Sequence, residues 1–169
     1  MTRTIRPIRI EGNVAFVPLA RGYTAIIDAA DVHLVDKWNW CASVEGYTVY
    51  AVRGDRAGGQ YRSIRLHRVI MDAPDDLEVD HRSGDGLDCR RVNMRLATRS
   101  QNGCNQRLSR ANTSGFKGVS WDSRNLKWLA PIAVGGKRIC LGRFITPESA
   151  HAAYSEASAR LHGDYGRLV

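Results

Sequence analysis

Three observations predict an α+β protein. Short runs rich in β-branched and aromatic residues, separated by glycine-bearing turns, fill the first part of the chain. Two helix starts carry strong caps, Thr98 with Gln101 and Thr146 with Pro147. Between them, two strand-like runs meet at Gly135-Gly136, a two-residue hairpin signal. Residues 1–61 therefore read as a β-rich N-terminal scaffold segment. Residues 62–110 read as a strand and short helix, followed from Leu77 by a strand, loop, strand and helix. Residues 111–169 read as a three-stranded antiparallel sheet packed on one C-terminal helix.

The elements follow in order. Val14 to Val17, Tyr23 to Ile27 and Tyr47 to Val52 read as strands. Asp31 to Trp38 carries apolar residues at Val32, Val35 and Trp38 and reads as a short helix capped by Asp28 or Asp31. Arg62 to Leu66 reads as a strand and His67 to Met71 as a short helix. Glu78 to His81 and Asn93 to Ala97 are strands around a glycine-containing loop. Thr98 and Gln101 form a capping box, so a helix starts there and runs to about Arg107. Lys117 to Trp121, Lys127 to Val134 and Lys137 to Phe144 are the three later strands. Ala150, Ala153, Tyr154, Ala157 and Leu161 then form one apolar stripe on a helix that Gly163 stops.

The chain has 169 residues, 43% hydrophobic and 25% charged, an ordinary globular balance. Its longest apolar run, Val14 to Ala20 with Pro18 allowed, is seven residues. A spanning helix needs about 20, which excludes a membrane span. Met1 to Ile10 alternates Arg with Ile and lacks the apolar core of a secretory signal. The four cysteines form no CxxC pair, which disfavours a zinc ribbon and fits a reducing cytoplasm. The net charge is +8, and only four of the 25 basic residues are Lys. Residues 1–79 are neutral overall, so the whole excess falls between Asp80 and Thr146. Clustered Arg suits phosphate binding, because its planar fork pairs with two phosphate oxygens at once.

Asp80-His81 ends a strand inside that basic zone, with Asn93 twelve residues on and Asn102 nine further. A hard cation such as Mg²⁺ or Mn²⁺ takes oxygen ligands, which the Asp80 carboxylate and the Asn102 amide supply. A neutral histidine removes a proton from water near pH 7. The start of the capped helix, with its free N–H groups, attracts a phosphate. The set suits metal-assisted phosphodiester hydrolysis. A turn-capping Asp and a surface His are the plainer account of the same residues.

The blocks Leu66-His-Arg-Val-Ile-Met71, Leu77-Glu-Val-Asp-His81, Gly84-Asp-Gly-Leu-Asp88, Arg90-Arg91-Val-Asn93, Arg95-Leu-Ala-Thr98 and Arg99-Ser-Gln-Asn102 occur in order. Over residues 62–107 they resemble the His-Asn-His (HNH) endonucleases of the phage and homing type. That resemblance implies a ββα-metal hairpin-helix unit holding one divalent cation. It implies Asp80 and Asn102 as metal ligands and His81 as general base. Asn93 would brace the loop and orient the base. One departure stands out: the family's Leu-Asp-Asn-Arg block has Cys89 in place of Asn, which is expected to loosen the loop. Cys89 with His81 could also take Zn²⁺, although only one cysteine lies close in sequence. His67 reads as a packed histidine. His33, His151 and His162 read as surface residues.

Asn112 to Trp121, Lys127-Trp128, Gly136-Lys-Arg138, Leu141-Gly-Arg-Phe144 and Ala150 to Tyr154 resemble a second family, the APETALA-type (ethylene-response-factor) DNA-binding domain, over residues 112–165. That family lays its sheet in the DNA major groove. Trp128, Ala130, Ile132 and Val134 should face the helix, and Lys127, Leu129, Pro131 and Ala133 should face outward. Leu129, Pro131 and Ala133 read bases poorly, and Pro131 suggests a bulge. Arg90, Arg91, Arg95, Arg99, Lys117, Trp121, Lys127, Lys137, Arg138 and Arg143 are the expected DNA contacts, mainly to backbone. Arg3, Arg6 and Arg9 would add a small basic strand face.

These readings imply a metal-dependent endonuclease acting on double-stranded DNA, and the HNH resemblance implies a mobile or phage-borne gene working in a bacterial cytoplasm. No obligate protein partner is evident. One metal and one base would nick one strand, and cutting both would need a homodimer or a second visit. The competing reading is a catalytically inactive or regulatory DNA-binding protein. RNA binding is disfavoured, because A-form RNA hides its major groove.

Overall fold

The computed structural model describes residues 4–168, so Arg3 lies outside the described residues. The chain divides into two compact units, Met1–Ala97 and Thr98–Val169. Both mix antiparallel strands with few helices, as an α+β protein should. No helix among the described residues is long and apolar enough to cross a membrane.

In the first unit, β1 (Arg9–Glu11), β2 (Val14–Pro18) and β3 (Thr24–Asp28) form an antiparallel sheet in chain order. Alternation puts Ala15 and Val17 of β2, and Ala25 and Ile27 of β3, into the core. The helix expected from Asp31 is a 3-10 turn over Ala29–Leu34, and Asp28 caps it without a side-chain hydrogen bond. Asp31 has another partner, described below. β4 (Cys41–Glu45), β5 (Thr48–Asp55) and β6 (Arg62–Arg65) form a second antiparallel sheet. β1 and β4 were not among the expected strands: β1 has only three residues, and β4 carries no aromatic residue.

Helix α1 (Leu66–Met71) buries Leu66, His67 and Ile70. Strands β7 (Glu78–His81) and β8 (Met94–Ala97) then pair antiparallel, His81 opposite Met94 and Asp80 opposite Arg95. A single apolar core runs from Ala15 through Trp40 and Ile70 to Met94. Each large side chain fully buried in it contributes about 1.5–3 kcal/mol. Residues 1–61 thus supply the core that a two-stranded hairpin cannot build alone.

The second unit starts with α2 (Arg99–Cys104) and its Thr98–Gln101 capping box. This helix stops short of the expected Arg107. Its last carbonyl, that of Cys104, accepts the Lys117 ammonium at 2.7 Å and the Arg167 amide at 3.3 Å, so the chain turns away. β9 (Ser120–Asp122), β10 (Lys127–Val134) and β11 (Lys137–Phe144) form an antiparallel sheet in the order β11, β10, β9. α3 (Pro147–His162) packs its buried Ala150, Tyr154 and Ala157 on that sheet. Ala130 and Ile132 are buried, as alternation required. The bulge expected at Pro131 is present: the register shifts between Ala130 and Pro131, and Leu141 is the extra residue that joins the core. His151 and His162 were expected on the surface, but each bonds a backbone carbonyl, of Lys117 and Ala133.

β9 begins later than Lys117 because Gly118 sits at φ +75°, where a Cβ would overlap the Tyr154 ring. Gly118→Ala should therefore destabilise the protein by at least about 2 kcal/mol. Urea unfolding of the full chain would measure the loss.

Candidate functional site

Strand β7 ends in the pair Asp80-His81, and both side chains are buried. Asp80 stands opposite Arg95 in the ladder. Its Oδ2 accepts Arg95 Nε at 2.7 Å and Nη2 at 2.6 Å. The two side chains are 3% and 9% exposed, so each charge needs the other. Arg95, expected at a DNA interface, is instead inside the protein as the counter-ion of Asp80. The sequence carried a usable signal for this. Antiparallel pairing of the two strands, taken from the hairpin's ends, puts residues 80 and 95 side by side.

His81 is 6% exposed. Its ring lies 5.0 Å from the His67 ring in an edge-on contact and 6.0 Å from Tyr50. Cys89 Sγ lies 3.8 Å from its Nε2. Burial lowers the His81 pKa, against the opposing pull of Asp80, Asp85 and Asp88. The ring is thus neutral at pH 7 and able to take a proton. His67 is held down to about 3, chiefly by burial and then by the neighbouring His81 and Arg65. Its Nδ1 is buried without a hydrogen-bond partner. The packing reading of His67 fits that environment. Its contact with His81 could not be read from spacing, since α1 and β7 are joined by a loop.

The loop between β7 and β8 is tied at several points. Asn93 Nδ2 donates to the Asp88 carbonyl at 2.8 Å, and Asn93 Oδ1 accepts the Ser83 amide at 3.0 Å. Ile26 of β3 exchanges backbone bonds with the loop, donating to the Leu87 carbonyl and accepting the Cys89 amide, both at 2.8 Å. Cys89 is fully buried there, so the loop is tightly packed at Cys89, contrary to the expected loosening. Burial pushes its thiol up to about 12, with Asp88 and Asp85 adding to the shift. A thiol that resists ionisation is a poor zinc ligand.

Two more arginines expected at DNA have protein partners. Arg90 makes a two-point contact to Asp88 at 2.8 and 2.7 Å, which lowers the Asp88 pKa. Arg91 grips Asp31 through Nε and Nη2 and also donates to the Ile70 carbonyl at 2.8 Å. Both remain partly exposed.

In the second unit, Asn102 is half-buried on α2 and Arg99 is exposed. Lys117 spends its ammonium on the carbonyls of Cys104 and Gln106 at 2.7 and 2.6 Å, and burial lowers its pKa. Arg143 Nε donates to Asp122 at 2.8 Å, and with Asn125 it holds that carboxyl down to about 2. Trp121 stands opposite Trp128, their rings 5.0 Å apart, so it shares the helix-side face of the sheet. Lys127, Lys137 and Arg138 are exposed.

Among the described residues, no cluster of three or more His, Cys, Asp or Glu is placed to hold a metal. The Asp80 carboxylate offers oxygen, the donor type that a hard divalent cation takes.

Residues 65–104 match the family model for HNH endonucleases. "Protein 3.8" of Escherichia phage T7 is 31% identical over 83 residues, which are 46% of this chain and 69% of the phage protein. An "Uncharacterized HNH endonuclease" of Acanthamoeba polyphaga mimivirus is 29% identical over 164 residues, 92% of this chain and 81% of the viral one. No solved structure matches.

The buried His67 gives a pH signature. Unfolded, it takes a proton below 6.5; folded, only near 3. The unfolded chain binds more protons between those values, so stability falls as pH drops through that window. One such group contributes a slope of about 1.4 kcal/mol per pH unit. Urea midpoints between pH 7 and 4 should fall less steeply in His67→Gln than in the native protein.

Proposed function

The chain belongs to the HNH endonuclease family, and from that membership we propose a divalent-metal-dependent enzyme that nicks double-stranded DNA with His81 as general base. The family membership makes the protein a nuclease acting on DNA. The observation that carries the finer reading is a buried, neutral histidine beside Asp80, inside the matched residues.

His81 takes a proton from water, and the water oxygen attacks phosphorus. The P–O3′ bond breaks, and the electron pair leaves on the 3′ oxygen. Asp80 and Asn102 are the residues proposed to hold the cation, with Asn102 entering through the motif pattern alone. A bound divalent cation supplies charge stabilisation at the leaving oxygen. Asn93 acts on the loop, joining Ser83 to Asp88 across it. One base acting on one phosphodiester cuts one strand per encounter.

Residues 111–169 are proposed to hold the duplex as an APETALA-type domain. The three-stranded sheet with its packed helix supports that reading. Exposed Lys127, Lys137 and Arg138 would contact phosphates. Leu129, Pro131 and Ala133, on the opposite sheet face from buried Ala130 and Ile132, offer no base-reading groups. Sequence preference from this unit should be weak.

A second reading, a DNA-binding protein without cleavage, is favoured by one observation. Arg95 already neutralises Asp80 and would compete with a cation there.

Supercoiled plasmid with Mg²⁺ should turn to open circles, and EDTA should stop it. His81→Ala should cut at least about a hundredfold more slowly, the usual scale of a lost general base. Retained gel-shift binding with no cleavage by the native protein would favour the second reading. Lys137→Ala with Arg138→Ala should weaken binding uniformly across sequences and flatten its salt dependence by about two units of log slope. An unchanged slope removes both residues from the interface.

A further inference from the structure

Cys89 occupies the position where the family block usually has Asn, yet nothing in the mechanism above uses it. It is fully buried, its amide is held by the Ile26 carbonyl, and its sulfur lies against His81. Two polar atoms lie within reach of its sulfur. The Gly86 carbonyl is at 3.6 Å and His81 Nε2 at 3.8 Å. A thiol has one proton, and a carbonyl oxygen can only accept. An S–H given to the Gly86 carbonyl leaves the sulfur lone pairs for the imidazole, the arrangement that uses both contacts. In that arrangement the sulfur accepts from an N–H, which calls for the imidazole proton on Nε2.

We infer that Cys89 is a positioning residue for the base: its sulfur accepts the Nε2 proton of His81 and keeps the lone pair on Nδ1, the nitrogen that takes the proton from water. The partner of one ring nitrogen decides which tautomer a histidine adopts and how its ring is turned. Here the ring is also flanked by His67 and Tyr50, so rotation is sterically costly and the thiol sets the last degree of freedom. β3 makes this position rigid, since the Ile26 carbonyl holds the Cys89 amide. The inference rests on His81 as the base.

The test sets turnover against stability. Cys89→Val fills the buried space but has no acceptor. Cys89→Ser keeps a group that donates and accepts, yet puts a hydroxyl in an apolar pocket. A positioning role predicts that Cys89→Val loses roughly ten- to a hundredfold in kcat at unchanged KM, the scale of a lost orienting partner. Its melting temperature should stay near native. Cys89→Ser should stay within about threefold of native turnover while melting lower. A packing role predicts the reverse order of activities, and that order overturns the inference.

The imidazole ¹⁵N shifts of His81 in the full chain at pH 8 give an answer that needs no turnover. They should show the Nε2–H tautomer in the native protein and Cys89→Ser, and a tautomer mixture in Cys89→Val. A native Nδ1–H tautomer overturns the inference even if a variant fails to fold. The two readings fail separately. Full activity in His81→Ala sinks the general base itself. An inactive His81→Ala beside a fully active Cys89→Val sinks only the role of Cys89.

Discussion

Two strands of four residues each cannot enclose a charge, yet β7 and β8 bury Asp80 and Arg95 side by side. Everything around them follows from keeping that pair dry and matched. Removing one member of such a pair typically costs about 3–5 kcal/mol, because the other is left buried and uncompensated. The hairpin therefore needs walls. The sheet β1–β3 supplies one through Ile26, which holds both Leu87 and Cys89. α1 supplies another, tied to the loop through Arg91 and the Ile70 carbonyl. A third tie runs from Asp31 to Arg91 across sixty residues of sequence.

The same burial that makes the ion pair costly prepares the histidine beside it. In water His81 would share its proton with solvent over the physiological range. Inside this core its neutral form wins, although Asp80, Asp85 and Asp88 pull the other way. Desolvation outweighs them because the ring is enclosed by His67, Tyr50 and Cys89. His67 is pushed down to about 3, first by its own burial and then by the neighbouring His81, Arg65 and Arg68, which all disfavour a charge there.

Charge counting and charge availability differ sharply in this protein. The basic excess lies between Asp80 and Thr146, but much of it serves the fold. Arg95 neutralises a buried carboxylate, Arg91 joins distant segments, and Lys117 ends a helix. Those cations are where they are because a buried or unpaired polar group costs more than a solvated charge gains. Lys127, Lys137 and Arg138, exposed in the second unit, lie on β10 and β11.

By itself the sequence determined the local structure wherever one residue type dominates its own neighbourhood. Thr98 with Gln101 fixed the start of α2, Thr146 with Pro147 and Gly163 bounded α3, and the Gly135-Gly136 turn located β10 and β11 on either side of it. Pro131 announced its bulge because it lacks an N–H. The motif blocks also carried the family, because their order and spacing are properties of the chain alone. What only the tertiary structure decided is where long side chains end. The Arg95–Asp80 pair, the Lys117 helix stop and the Cys89–His81 contact each join residues from different elements. Composition gives such a residue its charge or its lone pairs. Its partner is set by burial, which depends on packing across the whole unit and has no counterpart in any window of sequence.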